Sequence, residues 1–474
     1  MLATRSASAR RHVGAKFVRG VVSKHRTTLN QPSTNSYSSI ANKSSPGSFA
    51  NRSSEARAIR LGYTSLLSPP SPQPLKSSSL KVSTRQSHTS ITSSERVAIG
   101  NRQFSAVYLR DACTCPLCVD PSSKQKNFQT TDIPPGIQAK TVEPQTDGSV
   151  KVRWVGDLAG FGDDHTSIFS AEFFDINSSW DKFHQDHFGM TQPSVWDKST
   201  IAEKLHHVDY EDYITQDAAL YRVLQQLHNY GLALLQGVPE SEKSVESIAG
   251  RIGRLRDTFY GRTWDVKSVP QAKNVAYTAQ YLGLHMDLLY MRDPPGFQFL
   301  HCLKNSCKGG SSLFSDSFYA ASKLSKSSFE ALSSYQVPYH YRNAGEHYYY
   351  SHPVIELKTS PGEPETIDNV NYSPPFQATL AFPTIEEQQL FDPVMKAWRE
   401  LASGVENEEN LYEYRLQEGE CVIFNNRRVL HGRRQFDTSA GERWLKGCYL
   451  DTDVFMSRYR VLSEVSANGK MSPN

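Results

Sequence analysis

The chain has 474 residues, with 52 Lys+Arg against 49 Asp+Glu and a net charge of +3, so it can hold two or three domains of roughly 100 to 200 residues each. That balance gives no reason to expect nucleic acid or an anionic membrane as a partner, and no apolar run approaches the roughly 18 residues that a spanning helix needs. Seven cysteines, at 113, 115, 118, 302, 307, 421 and 448, are an odd set with three packed together, which points to a reducing compartment and one metal site rather than a disulfide scaffold.

Residues 1–54 carry nine Lys/Arg and no acid, and Glu55 is the single acid before Glu95. With its Ser-, Thr- and Asn-rich composition, this basic stretch reads as a mitochondrial transit peptide running into a proline-punctuated linker, so 1–95 is assigned no fold and the expected compartment is the mitochondrial matrix. Residues 96–190 alternate short apolar runs with turns (SAVYLRDAC, SVKVRWVGD), the pattern of a small, mostly β domain. A boundary near 188–200 separates it from a second domain over 195–470. There, Leu220, Val223, Leu224 and Leu227 share one face of a helix over 217–230 that stops at Gly231, the residue best suited to a left-handed cap. A buried strand follows in GLALLQGV. Further strands are expected around 274–281, 296–303, 312–316, 337–342, 353–357, 421–424 and 445–450, and a second helix over 384–402 with Leu390, Val394, Trp398 and Leu401 inward. Many short strands with a few flanking helices predict a jelly roll or sandwich.

Two constellations carry chemistry. Cys113, Cys115 and Cys118 place three thiolates in one loop, and His165 in GDDHTSIF is the candidate fourth ligand of a closed, structural zinc site. An iron–sulfur cluster or a redox-active thiol loop is the alternative. The second constellation is His285-Met286-Asp287. In an extended strand, residues two apart face the same side, so an imidazole and a carboxylate can reach one metal. His431, at the end of the apolar run in VIFNNRRVLHGRRQF, would complete a facial triad that leaves positions open on Fe(II) for a bidentate co-substrate and dioxygen. Arg443 follows twelve residues later, and its guanidinium fork can hold the distal carboxylate of 2-oxoglutarate.

The stretches YLRDACTCPLC, FYGRTWDV, NVAYTAQYLGLHMD, PPGFQFLHCLKNSCKGG, FNNRRVLHGRRQF and GCYLDTDVFMSR give the chain, from about Tyr108 to Leu462, a resemblance to the γ-butyrobetaine and trimethyllysine dioxygenase family, the hydroxylases of carnitine synthesis. The resemblance implies a double-stranded β-helix with iron on His285, Asp287 and His431, preceded by a small β domain with zinc on Cys113, Cys115, Cys118 and His165. It implies 2-oxoglutarate on Arg443 and Ser312, with ascorbate as an accessory reductant. It also implies an aromatic cage for a trimethylammonium group at Tyr260, Trp264, Tyr277 and Tyr449, with Asn274 beside it; such rings suit a cation that has no hydrogen to donate. The chain departs from the family at Leu288 (a tyrosine in the γ-butyrobetaine enzyme), at Ser373-Pro374-Pro375 (paired asparagines) and at Arg427 (a tryptophan).

The expected activity is therefore 2-oxoglutarate- and O2-dependent hydroxylation of a small quaternary amine, γ-butyrobetaine first and trimethyllysine second, with a homodimer among the assemblies to test. Two other classes stand beside it. A metallohydrolase would need further His/Asp ligands near His285, and a non-catalytic relative would keep the fold as a binding module.

Overall fold

The computed structural model describes residues 95–162, 164–188, 192–268, 278–358, 366–389, 391–439 and 441–469. The chain divides into two units, Met1–Gln86 and Ser87–Asn474, and the first lies outside the described residues, together with most of the expected transit peptide.

In the second unit a hairpin, Arg96–Ile99 with Arg102–Ser105, leads into the short helix Ala106–Asp111, capped by the Ser105 side chain. An antiparallel sheet of Gln138–Pro144, Val150–Val155 and Thr166–Phe169 follows. Along Val150–Val155 buried and exposed positions alternate, as the two-residue period of a strand demands. Its Val150, Val152 and Trp154 join Leu109, Ile137 and Phe169 in a separate small core.

Two larger sheets form the rest. One orders Leu282–His285, Val429–Arg433, Ser312–Asp316 and Leu411–Tyr414; the other runs His207–Asp209, Leu232–Gln236, Cys421–Asn425, Phe297–Asn305, Arg443–Leu450 and Leu255–Arg256, with Trp264–Lys267 also on Arg443–Leu450. Leu313 of the first packs with Phe299 and Ile423 of the second, and Phe314 with Val422 and Phe424, so the two sheets close over a common interior as the faces of a jelly roll.

The helix Asp217–Tyr230 has the expected bounds and buries Ala219, Leu220, Val223, Leu224 and Leu227. It ends because Gly231 takes φ +70 and a Cβ there would meet Val429 Cγ2 at 2.8 Å, a contact too close for any other residue. The helix expected over 384–402 is two: Ile385–Gln388, with a Thr384–Glu387 capping box, and Phe391–Val405. Pro393 has no N–H to give to residue 389 and its ring clashes with that carbonyl, so one continuous helix is disallowed. Val394, Trp398 and Leu401 are buried as expected, while Leu390 falls outside the described residues. The strand expected over 274–281 begins instead at Leu282. Before it, the carbonyls of Thr278 and Gln280 accept from Arg433 at 2.8 Å each, so a guanidinium takes the place of a strand partner. The strand Glu346–Pro353, which pairs with Gln336–Asn343, has no counterpart among the expected elements.

The chain crosses between the sheets through residues 425–428. Arg428, buried there, binds both oxygens of buried Asp316 (3.0 and 2.8 Å) and donates to the carbonyls of Asn229 and Ser194. A buried pair with every atom engaged is rigid; removing one partner of such a pair typically costs about 3 to 5 kcal/mol.

Candidate active site

His285 and His431 stand directly opposite each other, the last residue of Leu282–His285 facing the middle of Val429–Arg433. His431 is thus mid-strand, not at a strand end as the sequence suggests. Asp287 is not on a strand either. The strand stops at His285, and Asp287 opens a turn in which Leu288 has φ +61. The turn still brings the carboxylate round to the same side: one donor atom each of His285, Asp287 and His431 lies within 4.8 Å of the others.

Both imidazoles present Nε2, at 3.4 Å from Asp287 Oδ1 for His285 and 4.0 Å from Oδ2 for His431. His285 Nδ1 hydrogen-bonds the Gly283 carbonyl at 2.9 Å, which makes Nδ1 the protonated nitrogen and leaves the Nε2 lone pair for a metal. Burial, with His285 beside it, pulls the His431 imidazole down to about 3, so it stays neutral. Burial opposes ionisation of Asp287, yet the hydrogen bond from His285, the two imidazoles and the Tyr449 hydroxyl hold its carboxyl well below the ordinary range. Two neutral imidazoles and one carboxylate are the donor set of a non-haem iron triad, which the residues therefore fit.

The triad lines one cavity with Tyr260, Trp264, Ser312, Arg443 and Tyr449. Arg443 is buried, which lowers its guanidinium to about 10; it remains a cation at neutral pH. Its Nε donates to the Gly310 carbonyl at 3.2 Å. Arg433 also lines the cavity and is likewise lowered to about 10 by burial, with Arg443 adding to the shift. Two cations in one pocket with Ser312 suit a dianionic co-substrate.

Of the cage residues, Trp264 stacks on Tyr449 at 4.0 Å, and the Tyr449 hydroxyl is committed to Asp287 Oδ2 at 2.6 Å. Tyr260 places its hydroxyl 3.4 Å from that of Tyr290, which lines the cavity too. Asn274 and Tyr277 lie outside the described residues. Leu288, Pro375 and Phe376 supply apolar wall. Arg427 does not line the cavity; it is buried and pairs with Glu356 at 3.2 Å, and Glu356 in turn accepts from Asn371 and Asn369.

Sequence reasoning misses Gln298, a buried lining residue whose Oε1 has no partner among the described residues. It also misses Asn426, which binds the backbone of Asp287. Nothing local in either motif signals a contact made so far along the chain.

Cys113, Cys115, Cys118 and His165 form the second cluster, also with donors within 4.8 Å of one another. His165 Nε2 lies 3.6, 3.4 and 3.3 Å from the three sulfurs; a tetrahedral zinc with ordinary bond lengths has an S···N edge of about 3.6 Å. Burial pushes the Cys113 and Cys118 thiols up, so a cation among them is what would hold them as thiolates. His165 Nδ1 meets Asp157 Oδ2 at 2.7 Å, and Asp157 Oδ1 accepts from Arg110 Nε at 2.5 Å. A carboxylate behind a ligating histidine fixes the tautomer that aims Nε2 at the metal. Neither Asp157 nor Arg110 is visible as a partner from sequence spacing.

Residues 193–449 match the taurine catabolism dioxygenase TauD, TfdA family model, and residues 80–174 match the gamma-butyrobetaine hydroxylase-like N-terminal model. Among similar proteins, dioxygenase str8 of Strobilurus tenacellus is 41% identical over 375 residues, 75% of this chain and 84% of that protein. The gamma-butyrobetaine dioxygenase of Pseudomonas sp. (strain AK-1) is 32% identical over 381 residues, 76% of this chain and 90% of that protein. The mitochondrial trimethyllysine dioxygenase of Rattus norvegicus is 28% identical over 369 residues, 76% of this chain and 83% of that protein.

Proposed function

The chain belongs to the TauD, TfdA dioxygenase family and is an Fe(II)- and 2-oxoglutarate-dependent dioxygenase, and we propose that it hydroxylates a small trimethylammonium compound, γ-butyrobetaine to carnitine being the first reaction to test. The observation that carries this reading is the single cavity in which the His285–Asp287–His431 donors face Trp264, Tyr260 and Tyr449. In the proposal His285, Asp287 and His431 hold iron, Arg443 and Ser312 hold 2-oxoglutarate, and the Cys113, Cys115, Cys118 and His165 cluster holds a structural zinc. Iron with 2-oxoglutarate and O2 supplies the oxidant for an unactivated C–H bond, the co-substrate leaving as succinate and carbon dioxide. The chain's own part is placement. Rings that grip a fixed cation present one carbon to the metal and exclude water from it. Trimethyllysine is the second candidate, supported by the similarity to trimethyllysine dioxygenase.

Purified protein with Fe(II), ascorbate and 2-oxoglutarate should form succinate faster when γ-butyrobetaine is added. Trimethyllysine and quaternary amines without a carboxylate belong in the same assay, because Leu288, Pro375 and Phe376 give the cavity an apolar wall. No stimulation by any quaternary amine would sink the substrate assignment, and no succinate at all would favour a non-catalytic role.

The same reading places the protein in mitochondria and divides it into a presequence with linker to 95, a zinc-binding domain over 96–190 and a catalytic domain over 195–470. Residues 1–90 hold 14 Lys/Arg against the single acid Glu55, so fused to a soluble reporter they should direct it to mitochondria. A reporter left in the cytosol refutes the localisation.

A further inference from the structure

Asp287 lacks the support of a ladder. The strand ends two residues earlier, and Leu288 after it is one of three described non-glycine residues with positive φ, at +61. A bulky L-residue held there costs on the order of 1 to 3 kcal/mol and persists only where its surroundings over-determine the turn. The surroundings here are one side chain. Asn426, in the crossing between the two sheets, is fully buried. Its Oδ1 accepts from the Asp287 N–H at 2.8 Å, and its Nδ2 donates to the Asp287 carbonyl at 3.0 Å and to the Pro295 carbonyl at 3.1 Å.

Both amide hydrogens of Asn426 are therefore spent on backbone, and both peptide groups of Asp287 are bound by one rigid carboxamide. Its own N–H is fixed to the Gly296 carbonyl at 2.8 Å, and Arg428, two residues on, anchors the crossing to Asp316. The Met286 N–H is held by the Tyr372 carbonyl at 2.9 Å. The Cα of Asp287 thus has a set position, from which its carboxylate reaches the two imidazoles.

We propose that Asn426 is a positioning residue: it holds the Asp287–Leu288 turn in its strained form and so aims the Asp287 carboxylate at the metal. It touches neither metal nor substrate. The inference rests on the iron assignment to His285, Asp287 and His431.

The test is Mn(II) binding to the full chain, followed by electron paramagnetic resonance, which reads the metal site without turnover. Asn426→Ala should weaken Mn(II) binding roughly 10- to 100-fold, the usual effect of losing a group that orients a ligand, with zinc content and circular dichroism unchanged. Adding Leu288→Gly, which accepts a positive φ without strain, should restore part of that affinity. Wild-type affinity in Asn426→Ala, or a double variant no better than the single one, overturns the proposal. Should Asn426→Ala fail to fold, hydrogen exchange at the Asp287 amide of the metal-free wild type decides: protection supports the clamp, and exchange at the rate of an open turn refutes it. Mn(II) binding that survives His285→Ala places the metal elsewhere and removes the premise, whereas loss in His285→Ala with none in Asn426→Ala removes only the role of Asn426.

Discussion

His285→Ala and Asp287→Ala are each expected to abolish 2-oxoglutarate decarboxylation, because each deletes one of three donors that lie within 4.8 Å of one another and the remaining two cannot hold the open facial geometry. Arg443→Ala should behave differently. It removes a buried guanidinium from the cavity wall, and charge-assisted hydrogen bonds of that kind contribute about 1.5 to 3 kcal/mol, which is roughly a ten- to hundredfold rise in the 2-oxoglutarate requirement. Saturating 2-oxoglutarate should then recover much of the Arg443→Ala rate and none of the rate of the ligand variants, since concentration compensates for weak binding and not for a missing metal. Succinate release followed against 2-oxoglutarate concentration separates the two defects. A His285→Ala enzyme that still decarboxylates at the wild-type rate would put the iron in the wrong place.

Cys115→Ser should lose most of the roughly one zinc per chain expected of the wild type, together with much of its soluble yield, because metal binding in a small domain is also folding energy. The core it braces is small, centred on Leu109, Val152 and Trp154. Asp157→Asn gives a graded version. It keeps all four donors and weakens only the hydrogen bond behind His165, so zinc affinity should fall about 10- to 100-fold while the protein still folds in excess zinc. Metal analysis of the purified chains reads both. Iron with acid-labile sulfide at this site, or full zinc in Cys115→Ser, would overturn the assignment.

Much of this is legible in the sequence, for reasons that are local. The helix ending at Gly231 declares itself because a 3.6-residue apolar period and a left-handed stop are properties of adjacent residues, and the strands over 312–316 and 421–424 do so by their unbroken burial. The ligand residues are legible because metal chemistry restricts donors to a few residue types at short spacings. The false continuity of the helix over 384–402 is local too, since Pro393 forbids it and the apolar period merely conceals the break.

What only the tertiary structure decides is how those donors are aimed. Asp287 reaches the imidazoles from a turn and not from a strand, and the clamp on it comes from Asn426, 139 residues away. His165 is oriented by Asp157, itself tied to Arg110, and the family's tryptophan position is filled by an arginine whose charge is met by Glu356. The residue types, their spacing and the family likeness thus determine which chemistry the chain can perform. Where each donor points depends on hydrogen bonds between segments far apart in sequence, and these leave no periodicity for a linear pattern to reveal.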